Sequence, residues 1–216
     1  MKFIKNLHLK RFFLLLFLLI LFIIVSAFSY VNAISSHIAD NLFRLHVIAN
    51  SNEDFDQNLK YIVRDSIIEY INTLSQNLNS KEEIIASAQN NIKEIQKIAQ
   101  KTIYENGYNY SANVEIGNFN FPTKKYGDIS LPAGFYDALK IEIGEAKGEN
   151  WWCVMFPPLC FVDTTSGIVP DSSKEFMKEN LSEEEFRLIS ENSTEMQFKF
   201  KVVEVFNTFS ANLTNS

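Results

Sequence analysis

The fold is decided by residues 42–63, which read LFRLHVIANSNEDFDQNLKYIV and pass from a strand pattern directly into a helix pattern. The first part alternates well enough to predict a strand, with Leu45 and Val47 on one face and Arg44 and His46 on the other. The polar residues that follow predict a turn, and a helical pattern begins after it. This order favours a domain in which helices pack on a sheet.

Two helices are predicted next, and they form a tight hairpin. Asp54 and Gln57 have the spacing of a capping box at the start of the first helix, and Ser80 and Glu83 have it at the start of the second. Gly107 is the expected C-cap of the second helix. Both apolar stripes have the i, i+3, i+4, i+7 spacing of a helix with one buried face. They consist of Leu59, Ile62, Val63, Ile67, Tyr70, Ile71, Leu74 and Leu78, and of Ile84, Ile85, Ala88, Ile92, Ile95, Ala99 and Ile103.

The remaining predicted elements are strands with a period of two and one short helix. Residues 110–116 and 136–143 alternate between apolar and polar side chains, and a last strand is predicted near residues 197–206. The short helix begins at Ser182, with a capping glutamate three residues later. The sequence therefore predicts an α+β fold with one domain over residues 42–210, in which a helix hairpin packs on a mostly antiparallel sheet.

An apolar segment precedes this domain. Every residue from 12 to 25 is apolar, and the run continues to residue 31 with only Ser26 and Ser29 interrupting it. A helix over it spans about 30 Å, the thickness of a bilayer core. The flanking positive charges all precede the run, and no Lys or Arg follows it until Arg44. This asymmetry predicts that residues after about 33 cross to the far side of a membrane. Residues 1–33 are thus a predicted signal peptide or transmembrane anchor, and residues 34–41 are a connector. Cleavage after Ala33 and an uncleaved anchor both stay open.

The composition excludes several classes of protein. Of the 216 residues, 46% are hydrophobic and 21% are charged, which excludes a disordered chain and a fibrous repeat. The formal net charge of −6 divides into +3 for residues 1–40 and −9 for residues 41–216. An acidic body has no basic field for nucleic acid, so nucleic acid is not an expected partner. A basic, apolar start before an acidic body is typical of an exported or membrane-tethered domain.

Residues that could carry chemistry are few. Cys153 and Cys160 are the only cysteines, and a disulfide, two reduced buried thiols and one catalytic thiolate paired with His46 are all open for them. The last possibility makes the protein a membrane-tethered thiol hydrolase. His8, His37 and His46 lack metal-ligand spacing, and no phosphate-binding, dinucleotide-binding or serine-nucleophile motif is present. The sequence therefore predicts no metal, no cofactor and no small-molecule substrate.

One stretch is unusually rich in aromatic side chains. Residues 149–161 read ENWWCVMFPPLCF and include both tryptophans of the chain. Two interpretations stay open. The aromatic side chains belong to the core, or they form a half-exposed patch that a protein partner covers, since aromatic residues dominate binding hot spots.

Several segments resemble the stage II sporulation protein R family of endospore-forming bacteria. The resemblance covers about residues 42–163 together with the N-terminal export segment, and Ala146 stands where the family pattern predicts a glycine. The most specific part is the block Asn150-Trp151-Trp152-Cys153 with Phe156-Pro157-Pro158-Leu159-Cys160-Phe161. The other matching segments are Arg44 to Ser51, Lys60 to Asp65, Phe121 to Lys124, Tyr126-Gly127, Leu131 to Tyr136, and Ile143 to Glu145.

The resemblance implies a signal and not an enzyme. Members of that family are made in the forespore and exported into the space between the two membranes of the developing spore. There they activate a membrane-embedded aspartic protease, which processes the precursor of the mother-cell sigma factor. The expected partner is then the extracytoplasmic region of that protease. A thiol hydrolase and a structural protein of the envelope are the alternative classes.

A signal shifts its receptor between two states only by binding one of them more tightly, so it needs a surface that contacts the receptor. We expect this surface to combine the aromatic stretch with the turn after the first strand. Arg64 and Asp65 either belong to this surface or form a structural pair that caps the strand-to-helix turn. The predicted residues are Arg44, His46, Asn50, Arg64, Asp65, Trp151, Trp152, Phe156, Pro157 and Pro158.

Overall fold

The computed structural model describes residues 2–76, 78–160 and 169–190. The predicted last strand near residues 197–206 lies outside these residues. Within them the helices are α1 (Lys2–Asp40), α2 (Asp54–Ser75), α3 (Lys81–Asn90), α4 (Ile92–Glu105), α5 (Asp171–Asn180) and α6 (Glu183–Ser190). The strands are β1 (Phe43–Ile48), β2 (Ala112–Phe121), β3 (Lys124–Tyr126), β4 (Ile129–Leu131), β5 (Gly134–Ile143) and β6 (Asn150–Phe156).

A four-stranded sheet with the order β2-β5-β1-β6 forms the centre of the fold. Strand β1 is parallel to β5, whereas the β1–β6 and β2–β5 pairs are antiparallel. The prediction of an α+β fold with a mostly antiparallel sheet is therefore confirmed. Strand β1 lies between β5 and β6, and both of its faces are covered, since five of its six residues are buried.

The helix hairpin packs on one face of this sheet. Helix α2 contacts α4 in the antiparallel sense, since Tyr70 lies against Asn91 and Ser66 against Thr102. The buried part of the predicted stripes, together with Leu45 and Val47 of β1, forms one hydrophobic cluster. The prediction that Leu45 and Val47 share one face of the first strand is therefore confirmed, and that face is the one that the helices cover.

The second predicted helix is in fact two helices, because Asn91 interrupts it between α3 and α4. Asn91 has a non-helical ψ of 13°, and its backbone N–H donates to the carbonyls of Ser87 and Ala88. Its side-chain Nδ2 also donates to the Ser87 carbonyl at 2.9 Å. An asparagine side chain competes for backbone hydrogen bonds in this way, and the apolar stripe continues across the break.

The predicted caps are partly confirmed. Ser80 accepts from the Glu83 N–H and Ser182 accepts from the Glu185 N–H, each at 3.2 Å, as a capping box requires. Gly107 has φ +86° just after α4, which is the left-handed conformation that favours glycine at this position. The box predicted at Asp54 is wrong, because the N-cap of α2 is Glu53, whose side chain makes no capping hydrogen bond.

A second, smaller core covers the other face of the sheet. The β3–β4 hairpin, the end of α1, and helices α5 and α6 contribute to it. The hairpin and α5 were not predicted. Strands of three residues are too short to show a period, and α5 reads DSSKEFMKEN, in which only Phe176 and Met177 are apolar.

The predicted connector 34–41 is mostly the last part of α1, which continues to Asp40 and docks on the domain. Ile38 is fully buried, and the Lys81 ammonium donates to the Asp40 carbonyl at 3.0 Å. The same ammonium pairs with the Asp137 carboxylate at 2.7 Å. Among the described residues, no helix combines the length and the apolar character that crossing a membrane requires.

Candidate functional site

The sheet separates the predicted site residues into two groups, because neighbouring residues of a strand point to opposite faces. Trp151 lies on the face that carries the helices, together with Arg64 of α2. Trp152 lies on the other face, where it meets His46 of β1. The two tryptophans therefore do not share one surface.

On the helix face, Tyr61, Arg64 and Trp151 form a half-buried cluster, here called the cation–aromatic cluster. The Arg64 guanidinium carbon lies 4.4 Å from the Trp151 ring centroid and 5.0 Å from that of Tyr61. The two rings meet edge to face at 5.4 Å. Arg64 is also paired with Asp65 at 2.7 Å, in the third turn of α2 and away from the strand-to-helix turn. The pair therefore does not cap that turn.

On the opposite face, Arg44 is fully buried among aromatic rings. Its guanidinium carbon lies 4.1 Å from the Phe121 centroid and 4.6 Å from that of Tyr136, and Nη2 donates to the Tyr126 hydroxyl at 2.7 Å. Among the described residues no carboxylate pairs with Arg44, and its Nε and Nη1 atoms have no hydrogen-bond partner. Burial raises the pKa of both Tyr126 and Tyr136, so the hydroxyls stay neutral beside the cation.

His46 occupies the same buried face. Its ring stacks on Trp152 with 3.7 Å between centroids and 17° between planes, and Nε2 donates to Asn150 Oδ1 at 2.7 Å. Burial, together with the positive charges of Lys140 and Arg44, lowers the pKa of His46 to about 4. The hydrogen bond to Asn150 opposes this shift without cancelling it. His46 is therefore a neutral core residue at neutral pH.

The depressed pKa of His46 predicts a pH-dependent loss of stability. The ordinary pKa of histidine is about 6.5, so between pH 6.5 and about 4 the unfolded chain binds more protons at this position than the folded chain. The free energy of unfolding should fall as the pH drops through this window. Below about pH 4, protonation of His46 should cause no further decrease. Urea unfolding at a series of pH values measures the effect.

His46→Phe is the control for this pH dependence, because phenylalanine retains a ring on Trp152 and cannot titrate. The variant should lose stability less steeply than the wild type between pH 6.5 and 4.5. If the free energy of unfolding depends on pH equally in the two proteins, the pKa of His46 is not lowered in the folded chain.

Asn50 ties the turn after β1 to the loop between β5 and β6. Its Nδ2 donates to Asp56 Oδ2 at 2.8 Å, and its Oδ1 accepts from the Glu145 N–H at 2.9 Å. The Lys147 N–H donates to the Asn50 carbonyl at 3.1 Å, and Ser51 Oγ donates to Asp56 at 2.6 Å. These contacts give Asn50, a predicted partner-binding residue, a structural role.

Cys153 and Cys160 are joined in a disulfide, with 5.2 Å between their Cα atoms. Cys153 is paired with Leu45 across β1 and belongs to the cluster under the helices, whereas His46 lies on the other face. The thiolate–histidine pair of a thiol hydrolase is therefore not assembled here. The described residues hold no group of three or more His, Cys, Asp or Glu side chains placed to bind a metal.

The end of the aromatic stretch is mostly buried. Phe156 is 8% exposed and packs edge to face on Phe176 of α5 at 4.6 Å. Pro157, which follows a cis peptide bond, is buried, and Pro158 is exposed. The expectation of one continuous binding surface needs correction, because Arg44, Phe156 and Pro157 are buried.

The sequence reasoning did not single out several residues of these two groups. Tyr61 completes the cation–aromatic cluster, and Phe121, Tyr126 and Tyr136 surround Arg44. The last three stood within segments of the family resemblance, but nothing in their spacing indicates that they meet one arginine. That contact exists only once β5 pairs with β1.

Comparison with known proteins supports the family resemblance. The family model of stage II sporulation protein R matches residues 39–166, which contain the whole four-stranded sheet, the helix hairpin and the disulfide. Stage II sporulation protein R of Bacillus subtilis (strain 168) is 38% identical over 167 residues, covering 77% of this chain and 73% of that protein. No solved structure matches the chain at a significant level. The resemblance predicted from the sequence is confirmed: the chain belongs to the stage II sporulation protein R family.

Proposed function

We propose that the protein is an exported signal of endospore formation. It is made in the forespore, enters the space between the two spore membranes and activates a membrane-embedded aspartic protease there. That protease then processes the precursor of the mother-cell sigma factor. The observation that carries the proposal is the family match over residues 39–166.

Export through the N-terminal segment is part of the proposal. The side chains of residues 12–25 are between 39% and 68% exposed on α1, so the domain does not cover them. An exposed apolar segment with a basic start suits a secretion channel and a bilayer. The disulfide agrees with an oxidising, extracytoplasmic location. Mass spectrometry of the mature protein tests whether the segment is removed near Ala33.

A signalling role requires a surface that a receptor can recognise. The cation–aromatic cluster offers such a surface, since Tyr61, Arg64 and Trp151 are each partly exposed. Tryptophan, tyrosine and arginine are the residues most enriched in binding hot spots. The stacking of Arg64 on both rings holds the cluster in one conformation before binding, which lowers the entropic cost of association.

Trp151→Ala is expected to lower the rate of sigma-factor precursor processing by about tenfold or more, as removal of a tryptophan hot spot does. The measurement is an immunoblot time course of the precursor in sporulating cells whose only copy of the protein is the variant. Tyr104→Ala is the matched control, because Tyr104 is a 58% exposed aromatic residue of α4 outside the cluster.

The outcome separates the site from the function. Normal processing by a folded Trp151→Ala protein removes the cluster from the binding surface. Normal processing in cells that lack the protein altogether contradicts the proposed function itself. Equal loss for Trp151→Ala and Tyr104→Ala shows that the readout does not report on the cluster.

A further inference from the structure

The two ends of β1 mark two opposite ends of the domain. Helix α1 ends at Asp40 and β1 begins at Phe43, so the start of β1 marks the end of the domain that lies next to α1. Ile48, at the other end of β1, is in register with Glu142 and Asn150. We call that other end the distal end.

The first turns of α2 lie at the distal end, because the turn after β1 leads directly into this helix. Phe55 and Ile62 of these turns are 49% and 43% exposed. Being seven residues apart, they lie on the same side of the helix. The Phe55 ring stacks on Tyr108 with 6.2 Å between centroids, and Tyr108 in turn stacks on Tyr110 at 5.5 Å.

The exposed polar residues Asn58 and Asp65 of α2 separate these apolar residues from the cation–aromatic cluster. Tyr61 follows Phe55 by six residues and borders the cluster, and Ile62 follows it on the opposite flank of the helix. We define the distal face as Phe55, Ile62 and Tyr108, which form an apolar surface along one flank of the first half of α2. Single exposed apolar residues need no explanation, but a contiguous set of this kind marks an interaction site.

The charges around the distal face are mainly negative. Glu53 and Asp54 are exposed at the start of α2, and among the described residues neither forms an ion pair. The nearby cations do not cancel this charge. Arg64, Lys101 and Lys147 are paired with Asp65, Glu105 and Glu145, respectively. The Lys60 ammonium is buried and donates to the Gln57 side chain and the Glu149 carbonyl. An acidic rim opposes contact with an anionic lipid surface. It favours a protein partner that carries lysine or arginine beside its apolar side chains.

We infer that the distal face binds an extracytoplasmic protein segment with apolar and basic side chains. This inference rests on the proposed function and assigns the docking surface for the receptor. As long as residues 12–25 of α1 stay in the membrane that the protein leaves, the distal face points away from that membrane, because α1 joins the opposite end of the domain. A receptor in the facing membrane then meets the distal end first.

The test compares two exposed phenylalanines of the full-length chain in sporulating cells. Phe55→Asp combined with Ile62→Asp should lower the rate of precursor processing by about tenfold or more, because a carboxylate in an apolar interface is both desolvated and repelled. Phe135→Asp is the matched control, because Phe135 is 60% exposed and lies far from the distal end. It is the second residue of β5, whose start is in register with the start of β1, next to α1. This control should process the precursor normally.

Charge reversal tests the rim independently. Glu53→Lys with Asp54→Lys should slow processing, since like charges oppose the approach of a basic partner. Glu179→Lys is the control, because Glu179 is an exposed residue of α5 that makes no ion pair among the described residues. Faster processing with the reversed rim would contradict the assignment of a basic partner.

Photo-crosslinking covers the case in which an aspartate variant fails to fold. Benzoylphenylalanine at position 55 should crosslink to the protease, whereas the same probe at position 135 should not. Equal crosslinking at both positions, or normal processing by the folded double variant, overturns the docking surface. If cells without the protein process the precursor normally, the proposed function fails instead, so the two failures are distinguishable.

Discussion

Phe121→Ala is expected to lower the free energy of unfolding by about 3–5 kcal/mol, the range of large-to-small substitutions at fully buried aromatic residues. Phe121 is 0% exposed, and its ring contacts Arg44, His46, Tyr136 and Trp152. Removing it leaves a cavity and also takes away the ring face on which the buried guanidinium lies. Urea unfolding of the full-length chain, followed by tryptophan fluorescence, measures the change.

The control for this substitution is Phe135→Ala. Phe135 is 60% exposed, so its removal should change the free energy of unfolding by less than about 0.5 kcal/mol. A loss of less than about 1 kcal/mol for Phe121→Ala would show that the ring does not hold the second core together.

Gly148→Ala should also destabilise the domain strongly, by about 1–3 kcal/mol or more, because the added methyl group meets backbone and not a flexible side chain. A Cβ at Gly148 would sit within van der Waals overlap of the Ser51 carbonyl group. That carbonyl cannot move freely, since it accepts from Gln57 Nε2 at 2.8 Å and the Gly148 N–H itself donates to the Ala49 carbonyl at 2.9 Å. The loop between β5 and β6 must therefore shift away from the turn after β1.

Gly134→Ala makes the same chemical change where there is room. Its Cβ would lie 3.7 Å from the nearest atom of Tyr136, which is ordinary contact. Thermal unfolding should therefore show a clearly larger decrease in Tm for Gly148→Ala than for Gly134→Ala. Equal values for the two variants would contradict the close approach of the β5–β6 loop to Ser51.

Local sequence patterns predict those elements well whose secondary structure depends on residues close together in the chain. The apolar stripes of α2 and α4, the alternation in β1 and the boxes at Ser80 and Ser182 each depend on residues within about one turn of one another. The break at Asn91 was missed because the stripe continues through it. The β3–β4 hairpin was missed because strands of three residues show no period.

The candidate site was predicted less completely, since its residues come from distant parts of the chain. Trp151 and Arg64 were both expected at the surface, and the structure brings them together with Tyr61. Arg44 was expected at the same surface as part of the segment Arg44 to Ser51, but the structure buries it. Its burial depends on three rings that β2, β3 and β5 supply, at separations of more than 75 residues along the chain.

The sequence by itself determined that an apolar segment with a basic start precedes an acidic α+β domain, and its motifs were specific enough to indicate the family. Composition and periodicity suffice for such conclusions, because they sum over many residues and depend little on geometry. Only the tertiary structure decided which aromatic residues are covered and which remain for a partner. Trp151 and Trp152 are neighbours in sequence and both are partly exposed, but the pleat of β6 sends one towards Arg64 of α2 and the other onto His46 in the second core.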